Sequence, residues 1–351
     1  MHIHAPFSCK KKVLVTYTRR GTIMFIIKSM LYRLMQMIVV LFVISTLTFI
    51  LMKLSPGNPV DKILHLDVAQ VSTEQINATK DKLGLNDSLL VQWWHWMNHL
   101  LHFNLGKSFE SKEPVTQILF NYAPITLLIS FSTLVVSLCI SIPLGIIAAK
   151  RFHKWTDKVI RVISTLSISL PAFFIGIILL FIVTNLMNID SVILSQFILP
   201  VITLSLGMCA YIIRLVRSNL LMLLQSNIVQ ASRLRGMNER YILIHDLLKP
   251  TILPIIPLLG ISLGSLIGGT VVIENLFDIP GIGYLLMDSI KSRDYPVIQG
   301  CVLFIGFFVV IINTIADLLT LLLDPKQRLQ LGNPKIKTNT PLISESSDRH
   351  A

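Results

Sequence analysis

His95, His99 and His102 follow one another at spacings of four and three. On a helix that spacing stacks three imidazoles along one face, a conceivable ligand set for a transition metal. Trp93, Trp94 and Trp96 are interleaved with them, and a tryptophan belt marks the headgroup level of a bilayer, a zone histidine tolerates. The interfacial helix is the preferred reading, and no metal site is assigned. Gly106-Lys107-Ser108 has the ending of a phosphate-binding loop, but residue 101 is Leu where the first glycine should stand, so it is not read as a nucleotide site. No other run has the form of a Walker motif, and no nucleophile, base and orienting group stand at recognisable spacing. The chain is therefore not read as an enzyme. Of the four cysteines, Cys139, Cys209 and Cys301 lie inside apolar runs and Cys9 lies in the N-terminal extension, which suggests neither a disulfide framework nor a zinc site.

The elements that must position these residues are set by an apolar solvent. Only 14% of the 351 residues are charged and mean hydropathy is +0.69, whereas roughly a quarter of a soluble domain is charged. A net charge of +12 raises the question of nucleic acid in a soluble protein, but positive charge on cytoplasmic loops of a membrane protein explains it better. Membrane lipid is thus an expected partner and nucleic acid is not. A bilayer core about 30 Å thick needs about 20 apolar residues of helix. Leu34 to Met52, Pro114 to Ala149, Pro250 to Ile273 and Tyr295 to Ala316 are free of charge, and Val162 to Ile213 is broken only by Asp190. That last run reads as two helices joined by a turn near Asn185 to Gln196, giving an all-α polytopic protein with six transmembrane helices. Ser141, Pro143 and Gly145 are tolerated within a span, and small residues allow close packing. Glu274 and Asp317 lie near span ends, where pairing with a neighbouring helix is preferred to a transport role.

Lys10, Lys11, Lys12, Arg19, Arg20, Lys28 and Arg33 precede the first span, so that end is expected in the cytoplasm. Six spans then place two further basic segments inside: Lys150 to Lys158, and Arg214 to Lys249 with Arg217, Arg233, Arg235 and Arg240. Acids outnumber lysines in the outer segment Ser55 to Ala123, so the alternation of sign fits. Met24 is an alternative start, and no small-residue cleavage site follows an apolar core. The polar tail after Pro325 reads as disordered.

The segment between the fourth and fifth spans is long for a cytoplasmic loop. Ile228, Ala231, Leu234 and Arg235 lie on a three-to-four spacing, as do Tyr241, Ile244, Leu247 and Leu248. The pattern predicts two short amphipathic helices hinged at Gly236, where glycine supplies the turn freedom. The segment resembles the coupling loop of ATP-driven importer permeases, whose pattern is Glu-Ala-Ala, three residues, Gly, then an apolar stretch ending near Leu-Pro. Gln230, Ala231, Ser232 and Gly236 occupy those positions, with Gln230 replacing the acid and Leu248-Lys249 replacing the final pair. Gly268 to Gly283, Arg293 to Gln299, the ending Asp317 to Pro325, and upstream Lys82 to Asp87 and Phe103 to Ser108 resemble the oligopeptide, dipeptide and nickel branch of that family. The match runs over roughly residues 30 to 328.

The resemblance implies a type I importer permease fold with a cytoplasmic coupling helix. It divides the chain into a cytoplasmic extension (1–29), a first transmembrane helix (30–54), an extracytoplasmic insert (55–118), a transmembrane core (119–323) with its coupling loop at 219–250, and a cytoplasmic tail (324–351). It implies a homologous second permease, two ATP-binding subunits that hold the ATP, and an extracytoplasmic substrate-binding protein, with no cofactor in this chain. The insert and residues 281–291 are the expected faces for the binding protein. Gln230, Ala231, Ser232, Arg233, Arg235 and Gly236 would couple to the ATPase, the small residues by allowing close approach and the arginines by offering charge. The expected setting is a bacterial cell membrane with both termini cytoplasmic. The run from Leu266 to Phe277 together with Arg293 to Gln299 looks most like nickel-import permeases, so the expected cargo is nickel, free or chelated, with peptides as the alternative. A secondary transporter or channel is the competing class, but such carriers commonly show repeated halves, and none is evident.

Overall fold

The computed structural model describes residues 8–54, 60, 72–82, 84, 86–186 and 194–323, with side chains from residue 30 onward except at Lys82, Leu186 and Leu321. The start of the N-terminal extension, most of residues 55–71, the turn around Asp190 and the tail 324–351 lie outside the described residues. Within them the chain is helical, with a single isolated β-bridge between Lys107 and Pro114. In order, the helices are α1 (Ser8–Leu54), α2 (Thr73–Lys82), α3 (Leu89–Leu101), α4 (Val115–Lys150), α5 (Trp155–Ser169), α6 (Ala172–Phe181), α7 (Leu199–Leu224), α8 (Asn227–Leu234), α9 (Glu239–Tyr241), α10 (Leu248–Ile252), α11 (Ile255–Leu276), α12 (Ile282–Ser292) and α13 (Tyr295–Leu323). Among the described residues five stretches are long and apolar enough to cross a membrane: Met30–Leu54, Val115–Lys150, Leu194–Leu224, Ile255–Leu276 and Tyr295–Thr320. The pair α5 and α6 makes a sixth if it counts as one span.

That pair corrects the reading of Val162 to Ile213 as two simple helices. The chain already breaks at Leu170-Pro171, and the two halves meet at 103°. Proline has no N–H to continue the helix and pushes the preceding residue out of the helical region, and Leu170 is extended at ψ 135°. Similarly, the fifth span starts at Ile255 rather than Pro250, after a break at Leu253-Pro254.

The core lies where α4, α7 and α11 meet, around Ile129, Leu204, Met208, Ile212, Val216, Ile255 and Ile273. Ser137 Oγ donates to the Ser205 carbonyl (3.5 Å) and Ser141 Oγ to that of Cys209 (3.3 Å). Partners increase in step along both helices, so α4 and α7 run parallel. Gly145 makes this approach possible, since a Cβ there would sit 2.7 Å from Val216. Glycine and serine on the contact face supply close backbone packing in a span.

Buried acids tie the ends of the bundle. At the C-terminal end of α11, Glu274 is fully buried. Its carboxylate accepts from Thr126 Oγ1 (2.7 Å) on α4 and from the Gly283 and Tyr284 N–H groups (2.7 and 3.2 Å), while Thr126 Oγ1 accepts from the Ile282 N–H (2.8 Å). The first amides of α12, which have no partner inside their own helix, are thereby satisfied, and the negative charge faces the positive end of the helix dipole. The glycines beside it are required for space. A Cβ at Gly281 would stand 2.4 Å from the Glu274 carboxylate, and one at Gly283 would stand 2.3 Å from the Val271 backbone. At the same end, Asp294 accepts from Ser108 Oγ (2.5 Å) and the Phe109 N–H (3.1 Å), pinning the 107–114 turn to the start of α13. At the opposite end of the bundle, buried Asp157 on α5 receives Arg217 of α7 through two hydrogen bonds (2.6 and 2.8 Å). Asp317 on α13 pairs with Arg33 of α1 at 2.5 Å, with both side chains half-exposed.

Glu274→Ala is expected to leave the α12 amides and Thr126 without their acceptor at a cost of about 3 kcal/mol. The melting temperature of the detergent-purified chain should fall clearly, with Glu274→Gln intermediate. An unchanged melting temperature in the alanine variant would refute the capping role.

Candidate functional site

The loop between α7 and α11 is built as a folded elbow. Helix α7 ends at Leu224, and Ser226 takes an extended conformation (ψ 154°) with its hydroxyl turned back to the Leu223 carbonyl at 2.6 Å. The chain re-enters helix at Asn227. In the eight residues of α8, Val229 and Ser232 are fully buried. Val229 packs with Ala149, Leu220, Ile242 and Leu247 in a cluster separate from the main core, so α8 rests on the ends of α4 and α7.

Its end is a Schellman turn: the Met237 N–H donates to the Ser232 carbonyl (3.2 Å) and the Gly236 N–H to that of Arg233 (2.9 Å). Gly236 has φ +72°, where glycine carries no Cβ penalty. Asn238 then accepts from the Arg240 N–H (3.3 Å) and opens the second arm. That arm passes through a π turn, Ile242–Leu247, before α10. Pro250 lies in α10, and having no N–H it cannot bond the Asp246 carbonyl one turn back. A wider turn in front of it relieves the clash.

Two side-chain links hold the arms together. Ser232 Oγ donates to Asp246 Oδ2 (2.9 Å) and accepts from Arg235 (3.2 Å). Arg233 donates to both Glu239 oxygens (2.7 and 3.3 Å), and the neighbouring carboxylate raises its pKa above the ordinary guanidinium value. Arg233 and Glu239 are both about half-exposed, and such pairs contribute little to stability.

Five of the six residues picked from sequence, Gln230, Ala231, Arg233, Arg235 and Gly236, are exposed along the outer side of the elbow. Ser232 is the exception. It was expected to let a partner approach closely, but it points inward and its small hydroxyl anchors α8 to the second arm. The stripe of Ile228, Ala231 and Leu234 also turns outward, with Ile228 61% and Leu234 90% exposed. The second stripe splits: Tyr241 and Ile244 are exposed, while Leu247 is buried. A π turn has more residues per turn than the three-to-four spacing assumes, so the face rotates. Sequence reading missed Val229, Asn238, Glu239 and Asp246. Asp246 was the hardest to find, because its partner is fourteen residues away, and its one visible signal was an acid in an apolar run.

The histidines of α3 are exposed, whereas Trp93 and Trp96 turn toward α1 and donate to Thr46 (3.3 Å) and Ser45 (2.8 Å). Among the described residues no three His, Cys, Asp or Glu side chains stand close enough to hold a metal ion.

Residues 141–329 match the family described as "Binding-protein-dependent transport system inner membrane component", and residues 24–130 match "Binding-prot-dependent transport system membrane comp, N-term". Over 328 residues the sequence is 98% identical to the nickel import system permease protein NikB of Staphylococcus aureus (strain bovine RF122 / ET3-1), and 97% identical to that of strain MRSA252. Each match covers 93% of this chain and 100% of the relative. A protein of Brucella abortus (strain 2308), named as a peptide transport system permease, is 33% identical over 310 residues, covering 85% of this chain and 98% of that protein. Among solved structures, a chain of the MetNI methionine ABC transporter, solved in inward facing conformations, matches with a TM-score of 0.50 and 16% identity over 60% of this chain and 99% of its own. At that identity the likeness speaks for the fold, which is that of a type I importer permease.

Asp246→Ala removes the acceptor that holds Ser232, and a lost part-buried hydrogen bond of about 1.5 kcal/mol should open the elbow about tenfold more often. Tryptic cleavage after Arg233 and Arg235 should speed up accordingly, with Asp246→Asn near the wild-type rate. Equal cleavage rates in all three proteins would show that the link does not hold the arms.

Proposed function

The chain belongs to the family of binding-protein-dependent transport system inner membrane components, and from that premise we propose that it forms the translocation pathway for nickel in an ATP-driven importer. It is a multi-pass membrane protein and a transport subunit rather than an enzyme. The observation that supports nickel is the 98% identity to the Staphylococcus aureus nickel import permease across that protein's whole length. A peptide cargo is the second reading, favoured by the Brucella relative. The spans supply the route, and the binding protein selects what enters it.

The elbow is the mechanical part. Its outer side, with Ile228, Ala231 and Leu234 flanked by Gln230, Arg233 and Arg235, is the surface offered to an ATP-binding subunit. Ala231 lets the partner come close, and the apolar stripe supplies the area that leaves water on docking. Because Val229 and Ser232 fix α8 against α4, α7 and the second arm, a push on α8 moves those helices as one body. The full complex has a second homologous permease, two ATP-binding subunits holding the ATP, and an extracytoplasmic binding protein. The elbow and both termini face the cytoplasm of a bacterial cell.

Two measurements test this. In a strain lacking the chain, uptake of radioactive nickel should be lost and uptake of a labelled peptide kept; a peptide-only defect would reverse the cargo. Gly236→Val forces a β-branched residue into the left-handed region at about 1 to 2 kcal/mol. ATP hydrolysis by the assembled complex should then lose its dependence on cargo, while Gly236→Asn retains it. Normal nickel uptake by the valine variant at normal membrane levels would remove the elbow from the mechanism.

A further inference from the structure

Most of α7 is covered: Ile212, Val216 and Leu220 are buried to within about 1% exposure. One strip is left open. Gly207, Tyr211, Arg214 and Ser218 follow at spacings of four, three and four, which aligns them on one side of the helix. This side is opposite the face that Ser205, Cys209 and Val216 present to α4. Tyr211 is 51% exposed, Arg214 and Ser218 are exposed, and a Cβ on Gly207 would meet no atom within 4 Å.

The strip differs in kind from the uncovered surfaces of α1 and α6. On α1 these are Leu34, Ile38, Val39, Val43 and Leu47, and on α6 Phe173, Phe174, Ile177 and Ile178, which suit hydrocarbon. The four positions on α7 hold no aliphatic side chain, and the strip ends one turn later at the exposed Met222. Arg214 also stands apart from its neighbour Arg217, which is held by Asp157. Among the described residues the Arg214 side chain makes no ion pair or hydrogen bond. An ionised group on a span belongs against a partner charge or water, because hydrocarbon cannot solvate it. The parallel register with α4 places Arg214 level with residue 146, one turn inside the end of α4 at Lys150. It therefore sits near the elbow end of the bundle.

We propose that Gly207, Tyr211, Arg214 and Ser218 form a water-facing wall of the translocation pathway at its elbow end, and that Arg214 contacts carboxylate groups carried by the cargo. A guanidinium repels a bare dication and donates paired hydrogen bonds to a carboxylate, so this wall suits a metal ion that travels with carboxylate ligands. The proposal rests on reading the chain as an importer permease. Its first test needs no cargo, so its failure is distinct from failure of the nickel assignment.

In the assembled importer, with Cys9, Cys139, Cys209 and Cys301 replaced by serine, single cysteines at 207, 211, 214 and 218 are exposed to a membrane-impermeant thiol reagent, with and without ATP. The expected result is labelling at these four positions at least tenfold faster than at Ile212 and Val216, which are buried, or at Val39 and Ile178, which face lipid, in at least one nucleotide state. Rates equal to those controls in both states would overturn the wall, whether lipid or a second subunit covers it. The second arm measures uptake of nickel supplied with excess citrate, at matched membrane levels. Arg214→Gln should lower it about tenfold, the scale of one charge-assisted hydrogen bond, with Arg214→Lys between the two. Undiminished uptake by Arg214→Glu would overturn the cargo contact.

Discussion

A carboxylate taken out of water must be met by donors at once, and among the described residues three such groups, together with the part-buried Asp246, close this bundle. Glu274 and Asp294 lie at one end, Asp157 and Asp246 at the other, and each accepts hydrogen bonds from an element other than its own helix. The cost of burying an acid makes the arrangement specific. A helix that shifted by one turn would strand a charge in a medium that cannot solvate it, whereas an apolar contact would merely slide. Helices in lipid lack the hydrophobic drive that presses soluble helices together, so these polar ties define how α4, α7, α11 and α12 sit.

The same logic explains why the elbow holds its shape. Helix α8 has only eight residues and would not persist alone. It persists because Val229 is buried against α4 and α7, its last carbonyls are closed by the turn at Gly236, and Ser232 is bonded to Asp246 on the returning arm. Remove any of these and the outer stripe loses its backing. The apolar side chains on the outside, above all Leu234, gain nothing from the folded chain itself, so their exposure has to be justified by another surface.

The spans could be read from the sequence because lipid imposes a length and a composition, but the breaks within them could not. Pro171 stops a helix, whereas Pro124 and Pro143 sit inside α4 without breaking it. The residue type is the same. The difference is that α4 is packed into the core beside α7 and α11, while α5 and α6 lie largely uncovered and are free to bend. Periodicity gave the faces of the elbow but not which face turns inward, because Ile228, Ala231 and Leu234 form as good an apolar stripe as a core-facing helix would. Glu274 was visible as an acid near a span end, yet Thr126 is 148 residues away. Only the fold joins the glycines at 281 and 283 to that carboxylate as the reason both must be glycine.

Several residues of the runs that resemble the family are closing residues. Ser108 and Asp294 belong to two separate matching runs and bond to each other, and Glu274, Gly281 and Gly283 form a single cap. None of them reaches into open space. A frame of this kind is indifferent to what passes through it, which fits relatives named for nickel and for peptides at 98% and 33% identity. Differences in cargo must then be written on surfaces the closing residues leave bare, where a substitution costs the fold little. Positions such as Tyr211 and Arg214 have that freedom, because among the described residues no hydrogen bond or ion pair holds either side chain.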